Sequence, residues 1–210
     1  MIKVMLADDH LLLREGIKRV LKSEGDIEVI AETGDPFSVI NMIQKTNPDI
    51  LLLDLNFPGK SGMDVLKDIR SMKLDVKVLV LSMYPEERFA VRSMKDGASG
   101  YLTKETASDV LITAIRKIYA GGKFISSQLA EILVNDLTGS NGKQKHELLS
   151  DRELQVFMGI ASGKSQTEIG AELNLSASTV NTYRTRVLEK LGLKTNAEII
   201  YYAIQNKLVD

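Results

Sequence analysis

The chain has 210 residues, 44% of them hydrophobic and 26% charged, with a formal net charge of −1; this is globular chemistry, neither disordered nor fibrous. No run approaches the ~18 apolar residues of a membrane span, and zero cysteines with only two histidines exclude a disulfide scaffold, a thiolate metal site and a thiol nucleophile. Charge sums to zero over residues 1–145 and to −1 over 146–210, eight acids against seven bases, so composition alone names no nucleic-acid partner.

The opening Met1-Ile-Lys-Val-Met-Leu-Ala reaches Asp8-Asp9 at once, too short and too acidic for a secretory leader, and a cytoplasmic chain is expected. Short apolar, β-rich runs at 2–7, 27–31, 50–53, 76–81 and around Tyr101 then alternate with helically spaced segments at 11–22, 36–46, 62–72, 86–96 and 107–120. Asp35-Pro36 has the form of an N-cap followed by proline at the first helical position. Continuous runs such as Ile50-Leu-Leu-Leu suit strands buried on both faces. Five β–α units of this kind predict an α/β fold, a doubly wound five-stranded parallel sheet with helices on both sides.

From Gly121 the pattern weakens. A short helix is predicted near 127–135, and Leu137-Thr-Gly-Ser-Asn-Gly-Lys-Gln-Lys has the composition of a flexible linker. Three S/T-x-x-E signatures follow, Ser150…Glu153, Ser165…Glu168 and Thr195…Glu198, each the form of a capping box. Ser176 opens a fourth helix, and Gly163 and Gly192 stand where helix ends need a left-handed residue. The expected organisation is a domain over 1–121, a linker over 122–147 and a small all-α, four-helix domain over 148–210.

In an open parallel sheet, ligands bind beyond the carboxyl ends of the strands. Asp8 and Asp9 follow the first predicted strand, Asp54 ends the third, Ser82 ends the fourth and Lys104 lies just past the fifth. Singly, each has a bland explanation as a loop residue or cap, although Asp54 interrupts an apolar strand where an unused acid is costly. Together they bring three carboxylates, a hydroxyl and an ammonium to one edge. Clustered carboxylates of this kind call for a hard cation such as Mg²⁺. A carboxylate beside it can accept a phosphoryl group whose oxygens are shared by cation, lysine and serine.

The segments Leu6-Ala-Asp-Asp-His, Leu53-Asp-Leu-Asn-Phe-Pro-Gly-Lys-Ser-Gly, Leu79-Val-Leu-Ser and Gly100-Tyr-Leu-Thr-Lys closely resemble the flavodoxin-like receiver domain of bacterial two-component response regulators. The resemblance implies that Asp54 is the phosphoacceptor and that Asp8, Asp9, Asp54 and the Asn56 backbone carbonyl hold Mg²⁺. It makes Ser82 the switch hydroxyl, Tyr101 the aromatic switch residue and Lys104 the phosphate-binding lysine. Phosphorylation is then expected to draw Ser82 and Tyr101 inward and to repack the face that includes the 86–96 helix. Phe57 stands where methionine is common and Glu105 where many receivers have proline.

In the tail, Val180, Tyr183, Val187, Leu188 and Leu191 share one helical face, while Asn181, Thr182, Thr185 and Arg186 share the other. Periodicity leaves two meanings open, a solvated face on a small bundle or a face fitted to a DNA groove. The strings Leu149-Ser-Asp-Arg-Glu-Leu-Gln-Val-Phe, Ala161-Ser-Gly-Lys-Ser-Gln-Thr-Glu-Ile-Gly, Leu175-Ser-Ala-Ser-Thr-Val-Asn-Thr-Tyr and Leu188-Glu-Lys-Leu-Gly-Leu strongly resemble the LuxR-type helix-turn-helix. With the receiver, they make the whole chain resemble a NarL/FixJ-type regulator. That implies Ser176, Thr179, Asn181, Thr182, Arg184, Thr185 and Arg186 as DNA contacts, with Asn181 and Tyr183 standing where lysine and histidine are frequent. The implied partners are a sensor histidine kinase, double-stranded DNA and a second copy of the chain on DNA, with no membrane. The expected protein is a phosphorylation-switched transcription regulator, not an enzyme. Its rivals are an Asp-nucleophile phosphohydrolase, which typically needs a second aspartate where this chain has Asn56, and a regulator whose tail binds only protein.

Overall fold

The computed structural model of the chain describes residues 1–84, 86–127, 129–131, 134, 145–206, 208 and 209. It divides into two compact units, Met1–Leu137 and Thr138–Asp210.

The first unit alternates strand and helix: β1 Ile2–Ala7, α1 Leu11–Lys22, β2 Ile27–Thr33, α2 Val39–Thr46, β3 Ile50–Asp54, α3 Gly62–Ser71, β4 Lys77–Ser82, α4 Glu86–Lys95, β5 Gly100–Thr103 and α5 Ser108–Tyr119. All ladders are parallel and the strand order is β2-β1-β3-β4-β5, the doubly wound order whose direction reverses between β1 and β3. Every residue of β3 is buried, as its unbroken apolar run predicts for a central strand covered on both faces. Alternation along the strands sends Val4, Leu6, Leu52, Leu79, Leu81 and Leu102 into one layer with Ile17 and Leu21 of α1 and Leu111, Ile115 and Ile118 of α5. Met5, Leu51, Leu53, Val78, Val80 and Tyr101 lie outside that cluster and are buried as well.

Registry sets the functional edge. Ala7 pairs with Leu53, Asp54 with Leu81 and Ser82 with Thr103, and the Lys104 amide donates to the Ser82 carbonyl at 2.8 Å. The ends of four strands therefore stop at one level. The β3–α3 turn is held against this edge by Gly62, whose amide donates to the Leu55 carbonyl at 3.0 Å. A Cβ there would lie 1.9 Å from the Asp54 carbonyl oxygen and 2.8 Å from the Leu55 Cα. Ser61 and Asp64 close the turn as a capping box on α3.

One helix start differs from the sequence expectation. The Asp35-Pro36 signal predicts a helix from residue 36, whereas α2 begins at Val39. Asp35 Oδ1 accepts from the Phe37 amide at 3.0 Å and its carbonyl accepts from Ser38 at 3.2 Å, so the signal makes a side-chain-closed turn and Ser38 becomes the N-cap. Of the short helix predicted near 127–135, the described residues 127, 129–131 and 134 are helical. Of the linker predicted over 122–147, residues 128, 132, 133 and 135–144 lie outside the described residues.

Among its described residues the second unit has a 3-10 turn at Lys145–Leu148 and four helices, α6 Asp151–Ala161, α7 Gln166–Leu173, α8 Ala177–Leu191 and α9 Asn196–Gln205. The Ser150 and Ser165 boxes form in full, and Ser176 accepts from the Thr179 amide. At α9 the reciprocal half moves back one residue: Thr195 accepts from the Glu198 amide, but Glu198 Oε2 takes the Lys194 amide at 2.7 Å. Gly163 and Gly192 have φ of 78° and 72°, the left-handed values predicted for them. Leu154, Phe157, Ile169, Val180, Val187, Leu191 and Ile199 are buried. Between α7 and α8 the chain reverses through left-handed Asn174 (φ 52°), with the Leu175 amide on the Gly170 carbonyl at 2.8 Å.

Gly62→Ala places a methyl on the backbone of the site's own strand. The urea midpoint of the full chain is expected to fall by the equivalent of at least about 2 kcal/mol; an unchanged midpoint would show that the turn relaxes away from Asp54.

Candidate functional site

The crevice at the carboxyl ends of β1 and β3, where the sheet order reverses, gathers the predicted residues. Asp8 and Asp54 are buried, Asp9 half-buried, and Ser82 fully buried. Lys104 Nζ stands 2.8 Å from Asp8 Oδ2 and 2.8 Å from Asp54 Oδ2. It meets both at ion-pair distance but outside hydrogen-bond alignment, and Asp8 Oδ2, Asp54 Oδ2, Asp9 Oδ1 and the ammonium itself have no aligned partner. Asp54 Oδ1 accepts from the Asn56 amide at 3.1 Å.

Three carboxylates facing one ammonium leave an uncompensated negative charge. Burial, with Asp8 alongside, pushes the Asp54 carboxyl up to about 6 against the opposing pull of Lys104. Burial pulls the Lys104 ammonium down, but Asp54 and Asp8 more than offset it and its net shift is upward. Ligand atoms of Asp8, Asp9, His10 and Asp54 all lie within 4.8 Å of one another. Three carboxylates of hard oxygen donors gathered around a single ammonium fit a divalent cation.

His10 was absent from the sequence-level site, although it directly follows the acidic pair. Its backbone amide donates to Asp8 Oδ1 at 2.8 Å, and its Nδ1 lies 3.1 Å from Asp8 Oδ1 and 2.8 Å from Asp9 Oδ1.

Around Ser82, the β4–α4 loop forms a latch. Ser82 Oγ accepts from the Tyr84 amide at 3.1 Å, and the Tyr101 hydroxyl donates to the Tyr84 carbonyl at 2.8 Å. The Tyr84 ring packs on Phe89 of α4, centroids 4.7 Å apart. Tyr101 is fully buried, which raises its phenol far above the usual range. Tyr101 already lies inward, because the Tyr84 carbonyl satisfies the hydroxyl that burial would otherwise orphan. The peptide after Lys104, where Glu105 replaces a common proline, is trans like the others described.

On α8 the predicted residues spread over an outward face. Ser176, Asn181, Thr182, Thr185 and Arg186 are exposed, while Thr179 and Arg184 are half-buried. Tyr183 and Leu188 also emerge half-buried rather than in the core, the inward stripe being Val180, Val187 and Leu191. Arg184 Nε donates to Asn196 Oδ1 at 2.5 Å, tying α8 to the start of α9. Gln166, at the start of α7, donates to Asn181 Oδ1 at 3.2 Å. The Thr182 and Thr185 hydroxyls donate to the Ser178 and Asn181 carbonyls, each at 3.0 Å. Arg186 lies over the Tyr183 ring at 5.9 Å. No helix among the described residues is long and apolar enough to cross a membrane.

Residues 4–116 match the family described as response regulator receiver domain, and residues 147–203 match bacterial regulatory proteins, luxR family. The Oxygen regulatory protein NreC of Staphylococcus carnosus is 33% identical over 215 residues, 99% of each chain. Among solved structures, a two-component response regulator of the LuxR family from Aurantimonas sp. SI85-9A1 is 32% identical, covering 65% of this chain and 97% of that one with a TM-score of 0.60. RcsB from Salmonella enterica serovar Typhimurium, bound to promoter rprA in the presence of phosphomimetic BeF3−, is 25% identical over 96% of this chain and 98% of that one, with a TM-score of 0.63.

The raised Asp54 carboxyl makes stability depend on pH in a definite direction. The folded state holds this proton more tightly than the unfolded state, so the contribution is full below the ordinary aspartate value of 3.8 and is lost as pH rises through about 6. Lys104, also raised, changes nothing in that window. In cation-free buffer Asp54→Asn is expected to melt higher than the parent at pH 7.5, with the gap shrinking toward pH 5. A gap independent of pH would contradict the assigned electrostatics.

Proposed function

The chain belongs to the response regulators that join a receiver domain to a LuxR-type DNA-binding domain, a family of transcription regulators rather than enzymes, and from this we propose that phosphorylation of Asp54 switches its binding to DNA. The observation that carries the proposal is the buried Asp54 carboxylate, which shares one ammonium with Asp8 at the sheet's reversal point. A sensor histidine kinase supplies the phosphoryl group. An Asp54 carboxylate oxygen attacks phosphorus in line, the phosphorus–nitrogen bond of the donor breaks, and the leaving imidazole takes up a proton. Asp8, Asp9, Asp54 and the Asn56 carbonyl would hold Mg²⁺, which when bound neutralises charge on the phosphoryl oxygens.

Lys104 and Ser82 then hold phosphoryl oxygens. Drawing Ser82 toward the phosphoryl group removes the acceptor of the Tyr84 amide and shifts the carbonyl that holds Tyr101. Because Tyr84 also packs on Phe89, the movement reaches α4. A phosphohydrolase is disfavoured because position 56 offers an amide in place of a general acid. The proposed organisation is a receiver over 1–121, a linker over 122–147 and a DNA-binding domain over 148–210, working in the cytoplasm as a dimer on paired half-sites.

For DNA, the outward face of α8 enters the major groove. Asn181 and Thr182 lie near its N-terminal end and read base edges. Thr182 and Thr185 have their hydroxyl protons engaged within the helix, so each offers an acceptor oxygen and a methyl group, which suits base amino groups and the thymine methyl. Ser176, Thr179 and Arg186 meet the phosphates. Arg184, held by Asn196, reaches the backbone with its remaining donors and orients the helix.

Two experiments test this. Incubation with a small-molecule phosphodonor and Mg²⁺ is expected to add one acid-stable, base-labile phosphoryl group, and Asp54→Asn to abolish it; full labelling of that variant would remove Asp54 from the mechanism. On sites selected from genomic fragments, Asn181→Ala or Thr182→Ala is expected to cost ~1–3 kcal/mol and change site preference. Arg186→Ala is expected to weaken cognate and random DNA alike and to reduce the log K against log salt slope by about one. Unaltered preference in both α8 variants would mean that another element reads the bases.

A further inference from the structure

We propose that Gln166, on α7, is a specificity-determining residue for DNA: it fixes the side-chain amide of Asn181 on α8 so that this amide pairs with an adenine. The inference rests on the proposal that α8 reads base edges, and it adds a residue from outside that helix.

An asparagine amide has two unlike ends, an oxygen that accepts and a nitrogen that donates. Left free in solvent, it turns about its last bond and presents either arrangement to a groove. At position 181 it is held. Gln166 Nε2 donates to Asn181 Oδ1 at 3.2 Å, and among the described residues this is the one hydrogen bond of either side chain. A lysine, frequent at position 181 in chains of this type, has no acceptor and cannot be held in this way. Gln166 is half-buried, whereas Asn181 is exposed on the outward face of α8.

Both residues stand on helices that are themselves fixed. The complete Ser165–Glu168 capping box lies directly before Gln166. The two helices meet at a turn so close that a Cβ on Gly170 would lie 2.6 Å from the Leu175 carbonyl oxygen, and Ile169, Leu173, Val180 and Val187 are buried. The bond also determines which chemistry remains. Gln166 takes one lone pair of Asn181 Oδ1, leaving the other lone pair and the Nδ2 protons side by side. An acceptor beside a donor matches the N6 amino group and N7 of adenine in the major groove. Guanine offers two acceptors there and cytosine a lone donor, so neither uses both ends of the amide.

The test is selection from double-stranded oligonucleotides with a randomised core, using the full chain treated with a small-molecule phosphodonor and Mg²⁺. Asn181→Ala is expected to lower an adenine preference at one position of the selected site about tenfold. Gln166→Met keeps the length of the side chain and removes its donor. It is expected to relax the same position about fivefold, with the thermal midpoint unchanged. Added to Asn181→Ala it is expected to change nothing further, since the amide it holds is gone. Unaltered preference in Gln166→Met, equal loss on all sequences, or an effect that adds in full to that of Asn181→Ala would overturn the role of Gln166 while leaving Asn181 a reader. Unaltered preference in Asn181→Ala would instead overturn the base reading on which the inference rests.

Discussion

One ammonium between two buried carboxylates is the constraint on which this structure turns. Lys104 stands 2.8 Å from both Asp8 and Asp54, and Asp9 adds a third acid at the rim. A buried ion pair survives when its charges balance and its remaining valences are satisfied. Here neither condition holds, so the site favours the binding of positive charge. Cation binding supplies it, and in the proposed mechanism phosphorylation, which adds negative charge at Asp54, follows with the new oxygens shared by the cation, Lys104 and Ser82.

The rest of the first unit positions that imbalance and connects it to the surface. Parallel registry stops four strands at one level, and Gly62 lets the β3–α3 turn press against Asp54. The β4–α4 loop carries three connections within a few residues: Ser82 Oγ to the Tyr84 amide, the Tyr84 carbonyl to Tyr101, and the Tyr84 ring to Phe89. Glu86, the first residue of α4, is hydrogen-bonded by Ser126, whose Oγ also accepts from the Leu129 amide. These contacts link Ser82 to α4, and α4 to the segment that leaves α5.

Much of this was legible in the sequence because the signals were local or periodic. Unbroken apolar runs fixed the central strands, and S/T-x-x-E spacing fixed the helix starts after residue 150. Three things were not legible. Asp35-Pro36 carries a helix-start pattern that the chain uses for a turn, since an aspartate can cap a turn or a helix with the same oxygen. His10 joins the acids only because the backbone folds back on Asp8, a geometry that composition does not encode. On α8 the spacing predicts five inward residues, but Tyr183 and Leu188 are half-buried and the inward stripe is Val180, Val187 and Leu191.

Ligand binding that draws on native charge imbalance must raise native stability, because the unfolded chain does not hold the acids together. The thermal midpoint of the full chain against Mg²⁺ concentration tests this most directly. The midpoint of the parent is expected to climb continuously once Mg²⁺ exceeds its dissociation constant, while Asp9→Ala stays nearly flat over the same range. A parent midpoint indifferent to Mg²⁺, or an Asp9→Ala midpoint that climbs equally, would contradict the account.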